Sequence, residues 1–502
     1  QCLSGGHLGG QIPTGYKDTS SRAALPSEVY SGSEPTLPEV TTTTPSSTSS
    51  TTKTPTPTKS AVVPIVPGAA ACVDKLPDAT LIAQKIMAPV TGDILASMTK
   101  VFNNRHIGGA ILMPSSNKQN PAPGSILAFK KGQSIAIEVA TDQEGGDPAV
   151  KTTAAVSRIK APVTKLEPKG YLPTAADMAK MKPDQIVALV AENYAYLKSI
   201  SIDTSFGTVV DVAPIKGTTK IGVSRVASND PATVITYAAS YIAGAEAAGV
   251  NPVIKHWGMG AASANTDTTP AVAPSLAALK LRDFTVYTAL RAAGLKVDGM
   301  IGSEAIPGLT IDAGKDKKPG TADDVKIPAS LSKPAVSLFE SDYLTKDALS
   351  YTDDLGTPAI AAKWSVAEAS VAAWKASVDK ALFVSTSPKS PTQKMSVAEQ
   401  LDATISEGVA AMKNNSLSRT EVVSSVTRIL GAKHVGACAL LKQVDPNAYK
   451  VLTVPSPSVK ASHMPYKIPA PVPPSAIHPI ATPGQKPTGK PMSNPVTTAS
   501  AK

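Results

Sequence analysis

This sequence has few of the features that assign a function at first sight. No stretch of about 18 or more apolar residues occurs, so no transmembrane helix is expected. Aromatic residues make up only 4% of the chain, and the basic residues are scattered singly rather than interleaved with aromatics, which argues against a nucleic-acid partner. No Gly-x-Gly-x-x-Gly turn follows an early apolar run, which counts against a dinucleotide-binding fold.

Cysteine is also scarce. Cys2, Cys72 and Cys438 form no Cys-x-x-Cys pair, so neither a zinc site nor a redox motif is expected. Cys72 stands at the start of the globular part and Cys438 near its end, so a bridge between them would clamp the domain in an oxidising compartment. Two buried free thiols are an equal alternative at this stage.

Proline is abundant but unevenly distributed. The 44 prolines are concentrated towards the two ends of the chain, and residues 41–60 consist almost entirely of threonine, serine, proline and lysine. Such segments lack the apolar groups that would offset the entropy lost on folding. The sequence therefore predicts a disordered stalk or linker over 1–71, one large domain over 72–442 and a disordered proline-rich tail over 443–502.

The charge and the threonine-rich stretch both bear on location. The formal net charge of +10 suits contact with an anionic envelope polymer or a membrane surface, although a solvated basic surface is the plainer interpretation. Threonine, serine and proline at this density are typical of extracellular stalks. We therefore expect an extracellular or cell-surface protein with a possible envelope association. The sequence does not indicate its oligomeric state.

Between the two ends, short apolar runs alternate with helical patterns, which predicts an α/β fold with parallel strands covered by helices. An open doubly wound sheet would show the same alternation. Strands are predicted at 108–112, 134–140, 208–212, 252–254, 299–301 and 381–385. Helices are predicted at 185–199, 231–248, 276–293, 366–380 and 420–430.

Polar residues follow several of the predicted strands, which is where a (β/α)₈ barrel collects its chemistry. These residues are Asp142 and Glu144, Asp211, Lys255 and His256, and Ser303 and Glu304. A barrel without a function would not need polar residues at these positions.

Six segments, in order, resemble glycoside hydrolase family 3 of the β-N-acetylglucosaminidase (β-N-acetylhexosaminidase) type. They lie at 106–112, 141–146 with 156–159, 211–214, 255–257, 352–355 with 359–360, and 425–430. The resemblance covers most of 76–442. It implies a (β/α)₈ TIM-type barrel that hydrolyses glycosides without a cofactor or a metal.

The resemblance also implies residue roles. Asp353, in the Thr-Asp-Asp-Leu segment, would be the nucleophile of a retaining glycosidase. If the adjacent Asp353 and Asp354 point to opposite sides, one would face the barrel mouth while the other caps a helix; a simple helix-capping loop is the alternative. The positions expected to bind the sugar are Asp142, Arg158, Lys255, His256 and, displaced by one position from the family pattern, Arg225.

The loop that follows Lys255 and His256 departs from the family pattern. Thr269 stands where the relatives place their acid/base histidine, and threonine cannot supply a proton near neutral pH. Asp267 matches the aspartate that orients that histidine. Asp267 and Glu304 are therefore the candidates for a substitute acid, because a buried carboxylic acid can have a raised pKa.

An oxygen-rich segment at 312–324 contains four aspartates among glycine and proline. Loops of this kind can hold calcium, but the spacing is not that of an EF-hand and the lysines oppose a cation. A solvated insertion is the favoured interpretation, so no metal is predicted.

The predicted function is the retaining hydrolysis of β-linked N-acetylglucosamine from peptidoglycan fragments or related glycans. The altered acid loop supports an alternative of a different class, a catalytically degenerate barrel that binds carbohydrate or peptidoglycan at the cell surface.

Overall fold

The computed structural model describes residues 68–114, 120–148, 156–215, 221–295, 297–312, 314–315, 323–390 and 393–453. The predicted stalk, except for its last four residues, and nearly all of the predicted tail lie outside these ranges. The predicted end of the large domain at residue 442 is followed by a described helix, Pro446–Thr453, which packs against the core through Ala448, Tyr449 and Leu452.

Eight parallel strands form the central sheet, in the order β11-β8-β7-β6-β3-β2-β1-β12. These strands are β1 (Ile86–Thr91), β2 (Gly109–Met113), β3 (Glu138–Thr141), β6 (Thr204–Val209), β7 (Asn251–Trp257), β8 (Asp298–Ile301), β11 (Ser350–Thr352) and β12 (Ala381–Leu382). The two ends of this order, β11 and β12, are also joined. Lys380 N, just before β12, donates to Ser350 O at 2.9 Å, and Thr352 N donates to Lys380 O at 3.0 Å. The sheet is therefore a nearly closed (β/α)₈-type barrel, as predicted.

The remaining strands are short hairpin pieces. They are β4 (Gln143–Gly145) paired with β5 (Val156–Ser157), β9 (Ile311–Asp312) with β10 (Val325–Lys326), and β13 (Pro388–Ser390) with β14 (Gln393–Lys394).

Helices cover the outside of the barrel. In the described residues they are Ala69–Asp74, Asp78–Gln84, Leu95–Asn103, Ser125–Lys131, Ala175–Met178, Pro183–Ser199, Pro231–Ala247, Leu276–Leu281, Phe284–Ala292, Lys333–Leu338, Pro358–Ala361, Val366–Lys375, Val397–Lys413, Arg419–Ala432, Ala437–Val444 and Pro446–Thr453. Several begin at a residue suited to the start of a helix: Ser365 and Ser396 form capping boxes with Glu368 and Glu399.

Strand side chains alternate between two cores, as the period of two requires. In β2, Ile111 belongs to the cluster inside the barrel, while Ala110 and Leu112 belong to the cluster between strands and helices. The interior cluster also contains Met87, Ala140, Phe206, Val253, Met300, Leu349, Tyr351, Leu382 and Ile429. The barrel is thus filled by side chains, and a ligand can enter only at its ends.

Some predicted element bounds were wrong. The strand expected at 208–212 lies at Thr204–Val209, and the strand expected at 134–140 is only Glu138–Thr141. The helix expected at 276–293 is broken at Arg282 and Asp283, because the Arg282 backbone leaves the helical region, with φ −133° and ψ −69°. The Arg282 guanidinium donates hydrogen bonds to the carbonyls of Val212 and Ala213. The helix that begins at Val366 ends at Lys375.

A disulfide joins Cys72 to Cys438, which are 366 residues apart in sequence. It connects the helix Ala69–Asp74 to the helix Ala437–Val444, so the bridged alternative applies and the two ends of the domain are covalently linked. Across the described residues, no helix has the length and apolar character needed to cross a bilayer.

Candidate active site

A polar cavity of about 250 Å³ lies where the barrel strands end at their carboxyl termini. Its wall contains side chains from, or just after, β2, β4, β6, β7, β11 and β12. Of the predicted site residues, the cavity brings together Asp142, Arg158, Arg225, Lys255, His256, Asp267 and Asp353. This is the end of the barrel at which chemistry is expected.

A larger cavity of about 520 Å³ lies at the opposite end, against the starts of β3, β6, β7 and β8. Two of its charged side chains are paired with each other, and a third is paired with a lysine outside the lining. Lys130 contacts Asp203 at 2.6 Å, and the buried Lys380 pairs with Glu138. We place the active site in the smaller cavity, because it lies at the carboxyl ends of the strands and brings the predicted site residues together.

Two acidic side chains share one lysine at the mouth. Lys255 Nζ lies 2.8 Å from Asp142 Oδ1 and 2.7 Å from Glu144 Oε1. The Arg225 guanidinium donates two hydrogen bonds to the Glu144 carboxylate, at 2.7 and 2.9 Å. The Arg158 guanidinium lies 3.7 Å from the Asp142 carboxylate. Within this group two carboxylates face three cations, and Asp353 and Asp267 add further carboxyl groups to the same cavity wall.

The electrostatics keep these groups ionised. Burial by itself would raise the pKa of Glu144, but the charges of Arg225 and Lys255 outweigh it and lower that pKa to about 2. Burial would likewise raise the pKa of Asp142, and Lys255 and Arg158 hold it below its usual value. The Lys255 pKa is raised, because the two carboxylates outweigh its burial.

His256 is fixed by a carboxylate. Its Nδ1 lies 2.7 Å from Asp211 Oδ2, and its backbone N–H donates to the same oxygen at 3.2 Å. Burial would lower the pKa of His256, but the Asp211 charge outweighs it and the pKa is raised. Asp211 thus sets both the orientation and the charge of the ring.

Asp353 follows β11 directly and lines the cavity, half-buried. Its neighbour Asp354 accepts hydrogen bonds from the backbone N–H groups of Gly356, at 2.8 Å, and Val384, at 2.7 Å. Burial raises the pKa of Asp354 to about 6. The expectation that one of the pair caps a helix was wrong, since Asp354 instead ties the loop after β11 to the end of β12.

The loop after β7 supplies Met259, Asn265, Thr266 and Asp267 to the cavity wall. Asp267 is exposed, and its backbone N–H donates to Asn265 Oδ1 at 2.9 Å. Thr269 is exposed and does not line the cavity. Within the part of the chain that the structure describes, His256 is the one histidine in the cavity wall. Asp267 is the one carboxyl that this loop contributes to the wall, but it is exposed and not buried as was expected of a substitute acid.

Glu304 is placed differently from the other candidates. It is 0% exposed and does not line the cavity. A proton could not pass directly from its carboxyl to a glycosidic oxygen in this arrangement.

The strand-end pattern places Glu144 and Asp211 at the mouth but does not reveal their partners. Glu144 turns out to hold Arg225 in the site, although Arg225 is displaced by one position from the family pattern. Asp211 holds His256. No signal in a single sequence could join positions that are 81 or 45 residues apart along the chain.

A metal is not indicated by side-chain grouping. Among the described residues, no cluster of three or more His, Cys, Asp or Glu side chains could hold an ion. Much of the oxygen-rich segment at 312–324 falls outside the described residues.

A parallel barrel with carboxylates in a polar cavity at its C-terminal mouth is the arrangement expected of a barrel glycosidase. Residues 82–432 match the N-terminal domain of glycosyl hydrolase family 3, and the chain belongs to that family. The resemblance inferred from the six segments is therefore confirmed.

The relatives are β-hexosaminidases and their structures. The chain is 30% identical over 346 residues to the beta-hexosaminidase LpqI of Mycobacterium tuberculosis, covering 67% of this chain and 78% of that protein. A family 3 glycosyl hydrolase structure from Mycobacterium smegmatis aligns with a TM-score of 0.60 and 26% identity, covering 72% of this chain and 98% of the other. The structure of M. tuberculosis LpqI aligns with a TM-score of 0.58 and 26% identity, over 73% of this chain and 96% of the other. The chain is thus a hexosaminidase-like family 3 glycoside hydrolase.

Proposed function

We propose that this protein is a retaining β-N-acetylglucosaminidase with Asp353 as its nucleophile. The observation that carries the proposal is the position of Asp353 at the end of β11, in one cavity with Asp142, Lys255 and His256. The names of the β-hexosaminidase relatives support the substrate class.

The binding groups have complementary tasks. Asp142 can accept hydrogen bonds from two ring hydroxyls, while Arg158 and Lys255 donate to others. The paired Lys255, with its raised pKa, remains charged and does not act as a base. His256, held by Asp211, can donate a further hydrogen bond.

The reaction would proceed in two displacements. An Asp353 carboxylate oxygen bonds to the anomeric carbon as the bond to the leaving oxygen breaks, and Asp267 gives its proton to that oxygen. A water molecule then attacks the anomeric carbon of the glycosyl-enzyme ester. It loses its proton to Asp267 and releases Asp353 as a carboxylate.

The first test is the release of 4-nitrophenol from its β-N-acetylglucosaminide. We expect turnover by the native chain and a loss of at least ~10³-fold in kcat for Asp353→Ala, because the covalent route is removed. Nuclear magnetic resonance of the first-formed sugar should show the β anomer. A first-formed α anomer would overturn the retaining mechanism. No turnover combined with measurable N-acetylglucosamine binding would favour the degenerate binding barrel.

We further propose that the natural substrates are peptidoglycan fragments or related glycans outside the cell membrane. The Cys72–Cys438 bridge supports an oxidising compartment, and the net charge of +10 suits an anionic wall. Immunodetection in culture filtrate and envelope fractions tests the location; detection confined to the cytosol would overturn it. Chromatography of digested wall fragments tests the substrate, and a failure to release N-acetylglucosamine from them would exclude this substrate.

A further inference from the structure

Glu304 follows β8, which lies between two strands that carry site residues. β8 is flanked by β7 and β11, and Gly302 N, just after β8, donates to Trp257 O at 2.9 Å. On the other side, Asp353 N donates to Ile301 O at 3.1 Å. The segment that leads to Glu304 is therefore anchored to the ends of both neighbouring strands.

The Glu304 carboxyl is enclosed without a hydrogen-bonding partner. The side chain is 0% exposed, and among the described residues neither carboxyl oxygen meets a hydrogen-bond donor or acceptor. A Cβ atom placed on Gly302 would come within 2.4 Å of Glu304 Oε2, so the glycine leaves the space that the carboxyl fills. An ionised carboxylate left unpaired in such a space would be strongly unfavourable, whereas a neutral acid is tolerated.

The charged groups that face Glu304 come from each neighbouring strand end. They are His256 near the end of β7, Asp353 just after β11 and, one strand further away, Asp211 after β6. Burial raises the pKa of Glu304 to about 8, the His256 charge acts in the opposite direction, and the Asp353 and Asp211 charges raise it further. The enclosure and the facing charges therefore favour a protonated, neutral carboxyl at Glu304 below about pH 8.

We propose that Glu304 is a positioning residue that must be a neutral carboxylic acid for the active site to work, and that its ionisation releases His256 from its productive orientation. The proposal rests on the proposed glycosidase function. A Glu304 carboxylate would compete with Asp211 for the His256 cation and would add a second negative charge behind Asp353. The hydrogen bond that orients His256 would then be weakened and sugar binding with it.

The experiment compares the native chain with Glu304→Gln in kcat/KM from pH 5 to 9.5. Glutamine has nearly the same shape and cannot ionise. We expect the ratio of variant to native kcat/KM to be constant below about pH 7 and to rise about tenfold per pH unit above pH 8, as one ionisation is removed. Dividing the two profiles cancels every pH dependence that the native chain and the variant share.

Asp298 provides a matched control on the same strand. It is half-buried, its desolvation raises its pKa to about 7, and it lies at the start of β8, at the opposite end of the barrel from the active site. Asp298→Asn should leave the pH profile of kcat/KM unchanged. A constant ratio for Glu304→Gln over the whole range, or a similar rise for Asp298→Asn, would overturn the proposal.

Thermal unfolding tests the neutral acid without requiring turnover. Since the folded-state pKa of Glu304 lies above its unfolded value, its stabilisation is complete below about pH 4.5 and is lost as the pH rises towards 8. The melting temperature of Glu304→Gln should therefore rise relative to that of the native chain as the pH is raised from 5 to 8. A pH-independent difference would show that Glu304 is already ionised and would overturn the proposal, even if the native chain has no glycosidase activity. If the native chain has no activity but the melting temperature of Glu304→Gln rises in this way, the proposed glycosidase function is overturned and the neutral state of Glu304 is supported.

Discussion

Asp142 and Glu144 are two positions apart at the end of one strand, but they have different roles in the site. Glu144 is held by Arg225 and Lys255, and its pKa of about 2 keeps it charged under all working conditions. Both residues line the cavity and share Lys255, but the Asp142 side chain is 14% exposed and that of Glu144 only 2%. Glu144 therefore fixes the cations in place, and Asp142 remains available to the sugar.

At the residue scale, the unusual feature is the acid on the loop after β7. Asp267→Ala should lower kcat/KM by about 10²–10⁴-fold for a substrate with a poor leaving group, because protonation of that oxygen is lost. An activated substrate, such as the 2,4-dinitrophenyl glycoside, should lose far less in its glycosylation step. Steady-state and burst kinetics on both substrates provide the measurement.

Asp267→Asn and Thr269→Ala serve as controls for this experiment. The asparagine variant should behave like Asp267→Ala, whereas Thr269→Ala should leave kcat/KM within about twofold, since Thr269 does not line the cavity. Equal losses on both substrates would show that Asp267 binds the sugar rather than protonating the leaving group.

At the scale of the elements, an ion pair ties strands together across the barrel. Lys380, at the entry to β12, pairs with Glu138, the first residue of β3. Glu138 Oε1 also accepts hydrogen bonds from Thr204, at 2.6 Å, and Tyr351, at 3.0 Å. Four strands therefore depend on one buried carboxylate at the end opposite the active site.

Lys380→Met should cost about 3–5 kcal/mol of the free energy of unfolding, because it leaves the Glu138 charge buried without its partner. Denaturant titration followed by circular dichroism measures the loss. The control is Lys389→Met, which removes a surface pair with Glu399 whose side chains are 49% and 46% exposed, and should cost less than about 1 kcal/mol. Similar costs for the two variants would contradict this account.

At the scale of the whole molecule, the disulfide joins the first described helix to the last but one. Cys72 is fully buried and its partner Cys438 is near the surface of the helix Ala437–Val444. The bridge closes a loop spanning 366 positions, so its removal frees nearly the whole domain in the unfolded state.

The double variant Cys72→Ser with Cys438→Ser should lose up to roughly 5 kcal/mol of stability on the chain-entropy estimate. Neither cysteine lines the cavity, so kcat should be unchanged at temperatures where the variant remains folded. Denaturation midpoints of the native chain, with and without a reductant, and of the variant provide the measurement. A native midpoint that does not respond to full reduction would contradict the prediction.

Particular elements show how far sequence reasoning reached. The apolar runs at 252–254 and 299–301 mark β7 and β8 well, because buried parallel strands are continuous in their hydrophobicity. β1 escaped prediction because Pro89 interrupts its pattern, and β11 because it has only three residues. The positions of Asp142, Lys255, His256 and Asp353 at the mouth follow from their motifs.

The sequence by itself determined the family, the order of strands and helices and most of the residues at the mouth, since these depend on local pattern and motif. Only the tertiary structure decided the partners: Arg225 with Glu144, Asp211 with His256, and Cys72 with Cys438. It also decided that Glu304 is enclosed behind the cavity rather than in its wall. Contacts between distant positions and the burial of a charge arise only when the barrel closes, and no local pattern in a single chain records them.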